Sequence, residues 1–273
     1  MGKFDNIFIV SDIDHTFLAD DRSVPQRNLD ALKYFKSEGG QFTFATGRSH
    51  HSLLQAFPNA ADLLNAPAIL GNGSYLYDYA KNELLSPMFF KEDLGIRIAK
   101  YIYKTHPHTG MRILTPETTL YSLINEYINT EIAQAWYKNI SKYQAPEDWT
   151  GENWCKMVIR DAPEVLDDLR LCIERDFKGE DVEIFKSEAD FLEIQAKGCN
   201  KGRGIKVLRD KFSKTGVAIK IYACGDYEND LAMLTLADVA VCPSNASDEV
   251  KRASDLCLCS CNDGLIAALI NVL

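Results

Sequence analysis

Apolar runs and amphipathic stretches alternate along most of the chain. "IFIV", residues 7–10, is continuously apolar and stops at Ser11, which predicts a buried strand over 6–11. Residues 25–38 follow as a helix, with Leu29, Leu32 and Phe35 at helical spacing behind Pro25 and a stop at Gly39 and Gly40. "QFTFATGR" predicts a second strand that ends in polar residues. A helix carrying Leu53, Leu54 and Phe57 comes next, then a third strand in "APAILGNGS". Strands of unbroken apolar character separated by helices predict a parallel sheet covered on both faces.

The rhythm changes near residue 82. Strand 83–90, helix 92–105, a hairpin from 110–114 and 119–124, helix 126–142, strand 154–160, helix 163–177 and strands near 182–186 and 190–196 are expected. Paired strands mixed with helices predict an α+β unit with an antiparallel sheet. After Gly198 the first pattern returns: helix 201–213, strand "AIKIYACGD", helix 228–236, strand "VAVCP", helix 246–253, strand "LCLC" and helix 263–271. The expectation is an α/β, Rossmann-like core from residues 1–81 and 197–273, interrupted by an inserted α+β domain at 82–196.

Composition narrows the classes. The 273 residues are 46% hydrophobic and 25% charged, as in ordinary globular proteins. No apolar run approaches bilayer-spanning length and no cleavage-site pattern follows the first residues, so a cytoplasmic protein without a membrane partner is expected. A net charge of −9 weighs against a nucleic-acid partner while leaving room for a small anionic substrate. Eight cysteines in a chain of this size do not require a disulfide framework. Cys257, Cys259 and Cys261, spaced by two, are expected to face one side of a strand as small apolar residues.

Polar residues collect where strands end. The first strand runs into Asp12 and Asp14, the second into Thr46, Gly47 and Arg48, and the third into Gly71, Asn72 and Gly73. A later strand runs into Asp226, Asn229 and Asp230, and Lys201 opens the helix where the core resumes. In an open parallel sheet the ligand crevice lies beyond these carboxyl ends. Any one group reads equally well as turn or cap chemistry. Repetition at four strand ends is harder to assign to caps, above all for Asp12 and Asp14, which lie far before the helix near Pro25. Two carboxylates about 4 Å apart repel by roughly 4 kcal/mol at an effective dielectric near 20. A divalent cation, or protonation of one acid, must offset this. All-oxygen ligands favour magnesium, and His15 alone supplies no zinc cage.

The ordered set "DIDHT", "ATGR", "NKG" and "GDYEND", with a large insertion after the second, resembles the four motifs of the haloacid dehalogenase superfamily. The insertion, with "GNGS", "VAVCPSNASDEVKRASD" and "NDGLIAAL", resembles the Cof-type phosphatases, which carry an α/β cap. His15 departs from the glycine usual after the second aspartate. The resemblance implies a magnesium-dependent phosphatase of small phosphorylated metabolites, sugar phosphates above all, acting through an aspartyl-phosphate. It implies Asp12 as nucleophile and Asp14 as general acid and base. Magnesium would be held by the Asp12 side chain, the Asp14 carbonyl and Asp226, with Asp230 orienting that shell. Thr46 and Gly47, expected at a helix start where unpaired N–H groups favour an anion, would hold phosphate or substrate together with Lys201, Asn229, Asn72 and Arg48, and the cap would select the leaving group through residues such as Arg112, Lys186 and Glu193. Two other readings stay open. One is a sugar phosphomutase of the phosphomannomutase type, which needs clustered cap arginines, whereas Arg97, Arg112, Arg160, Arg170 and Arg175 are scattered in sequence. The other is a non-catalytic regulatory protein on the same fold, against which the full acid set argues.

Overall fold

The structure, a computed structural model, describes residues 2–132, 141–214, 216 and 218–273. Numbered along the chain, its strands are β1 (Ile7–Ser11), β2 (Gln41–Phe44), β3 (Ala68–Leu70), β4 (Tyr75–Asp78), β5 (Glu83–Leu85), β6 (Gly110–Leu114), β7 (Thr119–Leu123), β8 (Ser141–Tyr143), β9 (Lys156–Arg160), β10 (Val182–Glu188), β11 (Phe191–Ala196), β12 (Lys220–Cys224), β13 (Val239–Cys242) and β14 (Leu256–Cys257). The chain forms two compact units. One comprises Met1–Gly47, Asn59–Ser86 and Asn200–Leu273; the other comprises Arg48–Pro58 and Pro87–Cys199.

The first unit is built on a parallel sheet of order β14-β13-β12-β1-β2. β1, β12 and β13 are short, mostly apolar runs, because a sheet packed on both faces leaves no solvated side. Phe8, Val10, Ile221, Ala223 and Ala240 pack with Ile205 and Leu208 of helix Lys201–Ser213 and with Met233 and Leu234 of helix Leu231–Leu236. Helices Gln26–Ser37 and Leu265–Val272 pack on each other and bury Leu32, Phe35, Leu269 and Ile270. The rings of Phe17, Phe42 and Phe44 meet edge-on or tilted in the same layer.

The third apolar run differs from expectation. β3 touches the parallel sheet through a single bridge, Ala45 to Ile69, and otherwise forms an antiparallel sheet with β4 and β5. β4 was not foreseen. Asn82, in the left-handed region at φ 53°, turns the chain so that "SYLYD" pairs back onto β5.

The second unit is a six-stranded sheet of order β10-β11-β9-β6-β7-β8, antiparallel except between β7 and β8. Strand alternation sends Met111, Ile113, Met157, Ile159, Leu192 and Ile194 into one apolar layer. Leu94, Ile98 and Ile102 of helix Glu92–Thr105 and Leu166, Leu169 and Ile173 of helix Pro163–Asp176 complete it. The other face carries Arg112, Lys156, Glu193 and Gln195. The helix expected over 126–142 is present as Glu126–Ile132; residues 133–140 lie outside the described residues, and 141–143 pair as β8 instead.

The cysteine expectation also changes. β14 ends at Cys257, Cys259 lies beyond it, and Cys261 opens a 3-10 turn capped by Ser260, so the three thiols do not share a strand face. All eight cysteines are free thiols.

Candidate active site

β1 delivers Asp12 to the carboxyl end of the sheet. The Asp12 N–H still donates to Cys224 O of β12 at 2.8 Å, so its backbone is fixed by the sheet ladder. Beyond it the chain coils tightly. The N–H groups of Phe17 and Leu18 both return to Ile13 O, and His15 sits in the left-handed region at φ 55°. That conformation suits glycine best, and His15 occupies it here. His15 Nδ1 meets Asp20 Oδ1 at 3.0 Å on the exposed side, and its carbonyl accepts from Asn245 Nδ2. Asp14 is half-buried, and its charge acts on both Asp12 and Asp226.

β12 ends at Cys224, and Gly225 makes the next approach possible. A Cβ on Gly225 would lie 2.5 Å from the Asp230 side chain. Asp230 Oδ2 accepts from the Asp226 and Tyr227 N–H groups at 2.9 and 3.3 Å, closing the loop on itself. Asp226 Oδ1 accepts from Thr16 Oγ1 at 2.7 Å, which ties this loop to the one after β1. Asn229 is half-buried on the 3-10 turn Glu228–Asp230.

Lys201 is the buried cation of the site. Its helix starts at an Asn200 cap, whose Oδ1 accepts from Arg203 N–H. Gly73, at φ 93°, packs against that cap so closely that a Cβ would lie 2.0 Å from Asn200 O. The Lys201 ammonium donates to Asp12 Oδ1 and to Asp230 Oδ1, each at 2.6 Å. Burial acts to lower its pKa, but the charges and hydrogen bonds of Asp12 and Asp230 more than offset this and raise it, so it is a fixed positive charge.

Thr46 and Asn72 are buried and adjacent in backbone. Thr46 N–H donates to Ile69 O, and Asn72 N–H donates to Thr46 O at 2.9 Å. The expectation that Thr46 and Gly47 stand at a helix start is corrected. Ser49 and Ser52 form a capping box, so the helix is His50–Ala56 and both residues precede its cap. Arg48 belongs to the second unit, whereas Asp12, Asp14, Thr46, Gly47, Asn72, Lys201, Asp226, Asn229 and Asp230 belong to the first.

Carboxylate oxygens of Asp12, Asp226 and Asp230 lie within 4.8 Å of one another. Burial, with repulsion from Asp230, Asp226 and Asp14, raises the Asp12 pKa well above its ordinary value despite Lys201. Burial and Asp230 push Asp226 up to about 7, against the opposing Thr16 hydrogen bond and the Lys201 charge. One lysine therefore leaves this set short of positive charge. A hard divalent cation fits the oxygen-only donors and the deficit. Asp12 and Asp226 are the ligands best placed, since both Asp230 oxygens are already engaged by Lys201 and by backbone N–H groups.

Residues 9–270 match the family model of haloacid dehalogenase-like hydrolases. The chain belongs to that family. It is thus an enzyme, a hydrolase with the parallel-sheet core of the haloacid dehalogenase fold. It is 26% identical to the 5-amino-6-(5-phospho-D-ribitylamino)uracil phosphatase YcsE of Bacillus subtilis, covering 90% of this chain and 87% of that one. It is 27% identical to the HMP-PP phosphatase of Serratia proteamaculans, covering 88% and 84%. Among solved structures, a haloacid dehalogenase-like hydrolase from Bacteroides thetaiotaomicron superposes with a TM-score of 0.80 at 20% identity over 99% of both chains.

Some residues were not foreseen from sequence. Lys156 is buried and ion-paired with Glu193 on the polar face of the six-stranded sheet, with Arg112 also acting on Glu193. Lys186 points elsewhere, pairing with Asp167 of helix Pro163–Asp176. Register could have signalled Lys156, since Gln195 opposes it directly and Glu193 lies two residues along the same face. The pairing of β9 with β11 was itself unknown from the sequence.

Proposed function

We propose that the chain is a magnesium-dependent phosphatase of small phosphomonoesters, working through an aspartyl-phosphate on Asp12. The observation that carries this reading is the buried junction of Asp12, Lys201 and Asp230 beside Asp226. Lys201 holds Oδ1 of Asp12, and no hydrogen bond is made to Oδ2 among the described residues. That oxygen is the one left to attack phosphorus. As it does so, Asp14 donates its proton to the departing alcohol oxygen. Asp14 then accepts a proton from water, which attacks phosphorus and releases Asp12 and inorganic phosphate. Magnesium, held by Asp12, Asp226 and the Asp14 carbonyl, would neutralise charge on the phosphoryl oxygens. Lys201 supplies fixed positive charge on the same side, and Thr16 holds Asp226 in place.

Small phosphorylated metabolites are the proposed substrates, sugar phosphates or phosphorylated sugar alcohols among them, in keeping with the phosphoribityl compound named for the Bacillus relative. The residues Thr46, Gly47, Asn72, Asn229 and Arg48 are proposed phosphate or substrate contacts, and residues 82–196 a proposed cap. Hydrolysis is favoured over phosphoryl transfer to a second sugar site. Arg97, Arg160, Arg170 and Arg175 are each paired with a carboxylate, of Glu180, Asp190, Glu174 and Asp176 respectively, and the charge of Arg112 acts on Glu193, so each of the five has an acidic neighbour. The test is phosphate release from a panel of phosphomonoesters, with and without magnesium, alongside Asp12→Asn. Magnesium-dependent release that the variant loses supports the proposal. Isomerised sugar phosphate without release supports the mutase, and release unchanged in Asp12→Asn refutes the mechanism.

A further inference from the structure

We propose that His50, His51 and Glu117 form a separate metal site that takes a zinc-type divalent cation. All three belong to the second unit, which assembles from Arg48–Pro58 and Pro87–Cys199. The two histidines lie on helix His50–Ala56 and Glu117 lies at the tip of the β6–β7 hairpin. One ligand atom from each falls within 4.8 Å of the other two. Zinc–nitrogen and zinc–oxygen bonds of about 2.0–2.2 Å in a tetrahedron place ligand atoms about 3.3–3.6 Å apart. His51 Nε2 and Glu117 Oε2 are already 3.7 Å apart, and both side chains are exposed enough to turn the remainder.

The scaffold around the three is set. The Ser49–Ser52 capping box fixes where the helix begins. The hairpin tip is closed by Thr115 N–H to Thr118 O at 2.9 Å and by Thr118 N–H to Thr115 Oγ1 at 3.1 Å. The two imidazoles are neighbours with centroids 4.0 Å apart. His50 is buried, so its ring is held against the helix rather than free in solvent. A neutral imidazole nitrogen donates its lone pair to a metal. Two imidazoles and one carboxylate suit zinc, cobalt or nickel, whereas the all-oxygen set at Asp12 and Asp226 suits magnesium. Three protein ligands leave a fourth position for water. A bound ion would join the two chain segments of this unit, and the site stands or falls independently of the phosphatase proposal.

The test uses the full chain, stripped of metal and titrated with zinc against a chromophoric chelator. Wild type is expected to bind one more zinc ion than a His51→Ala/Glu117→Gln double variant. Both substituted residues are exposed, so the fold is retained, which circular dichroism checks. Either single variant is expected to weaken that ion at least tenfold, while Asp226→Asn leaves it unchanged. Saturating zinc raises the melting temperature of wild type and not of the double variant. Cobalt at the site gives a visible d–d spectrum without thiolate-to-cobalt charge transfer. Equal zinc stoichiometry and affinity in wild type and double variant overturns the proposal, as does a charge-transfer band, which would move the metal to the cysteines. Absence of zinc binding also overturns it and leaves His51 and Glu117 as an ordinary surface pair.

Discussion

Lys201 Nζ and Asp12 Oδ1 lie 2.6 Å apart with the lysine wholly buried, and the same ammonium reaches Asp230 at the same distance. Replacing Lys201 with Met removes the only cation hydrogen-bonded to either acid among the described residues. Breaking a buried pair in this way costs about 3–5 kcal/mol. Lys201→Met is therefore expected to melt well below wild type in chelator and to lose about a hundredfold to a thousandfold in kcat/KM, consistent with removing a preorganised charge worth about 3–4 kcal/mol in the transition state. Thermal melts and phosphate-release kinetics on the same preparation check both. Wild-type activity in this variant would remove Lys201 from the mechanism.

Magnesium and Asp226 should be coupled with a crossing of signs. Asp226→Asn relieves repulsion in the buried acid set, so the variant is expected to melt higher than wild type in chelator. Wild type gains from magnesium by mass action, about 2.7 kcal/mol at one hundred times the dissociation constant. The variant is expected to lose most of that gain and of its activity. Melting curves with and without magnesium decide it, and an equal magnesium shift in both proteins would place the ion elsewhere.

Lys156 and Glu193 make the second unit sensitive to acid. Burial acts to raise the Glu193 pKa, but the Lys156 charge and hydrogen bond, with Ser187 and Arg112, more than offset it and hold it below the ordinary 4.5. A carboxyl lowered in the folded state contributes stability that is present above about pH 4.5 and is lost as pH falls through its folded value. Glu193→Gln is expected to destabilise by about 3–5 kcal/mol at neutral pH, because it strands a buried ammonium. It should also flatten the fall in stability below pH 4.5. Denaturant melts from pH 7 to pH 3 test both, and an unchanged slope would show that Glu193 is not the acid-labile group.

The distinction between what sequence carried and what it did not is one of range. Asp12 and Asp226 were legible because strand-end chemistry is local: an apolar run stopping at an acid is visible within ten residues, and Lys201 was legible as the first residue of a helix. Parallel strands were legible for the same reason, through their unbroken apolar runs. β4 was not, because its partner depends on the left-handed turn at Asn82, and a lone asparagine is a weak signal. Thr46 and Gly47 were placed at a helix start because the Ser49–Ser52 reciprocal cap departs from the usual acidic pattern. Lys156 with Glu193, and His51 with Glu117, are contacts between distant segments, which no local pattern of residues reveals.

Gly73 is expected to be intolerant of even one methyl group. Its φ of 93° is unfavourable for other residues, and the added carbon would lie 2.0 Å from Asn200 O. Strain of this kind costs about 1–3 kcal/mol. Relief requires Asn200 to move, and Asn200 caps the helix that begins with Lys201. Gly73→Ala should therefore lower kcat as well as melting temperature, although Gly73 carries no chemistry. A variant that is destabilised but retains full kcat would uncouple the glycine turn from the lysine.

His15→Gly separates loop geometry from chemistry at the position where this chain departs from the family pattern. Glycine takes φ 55° without the roughly 1–2 kcal/mol penalty of the left-handed region for other residues. The substitution also removes the His15–Asp20 contact, which is exposed and contributes little. It further frees the unfolded backbone, which cancels roughly 0.4–1 kcal/mol of the relief. The balance is a small gain in stability, with kcat/KM within a few-fold of wild type if His15 serves only to occupy the turn. A loss of a hundredfold or more in kcat at unchanged stability would instead assign the imidazole a part in proton transfer beside Asp14. Phosphate-release kinetics and thermal melts of the single variant read the two outcomes directly.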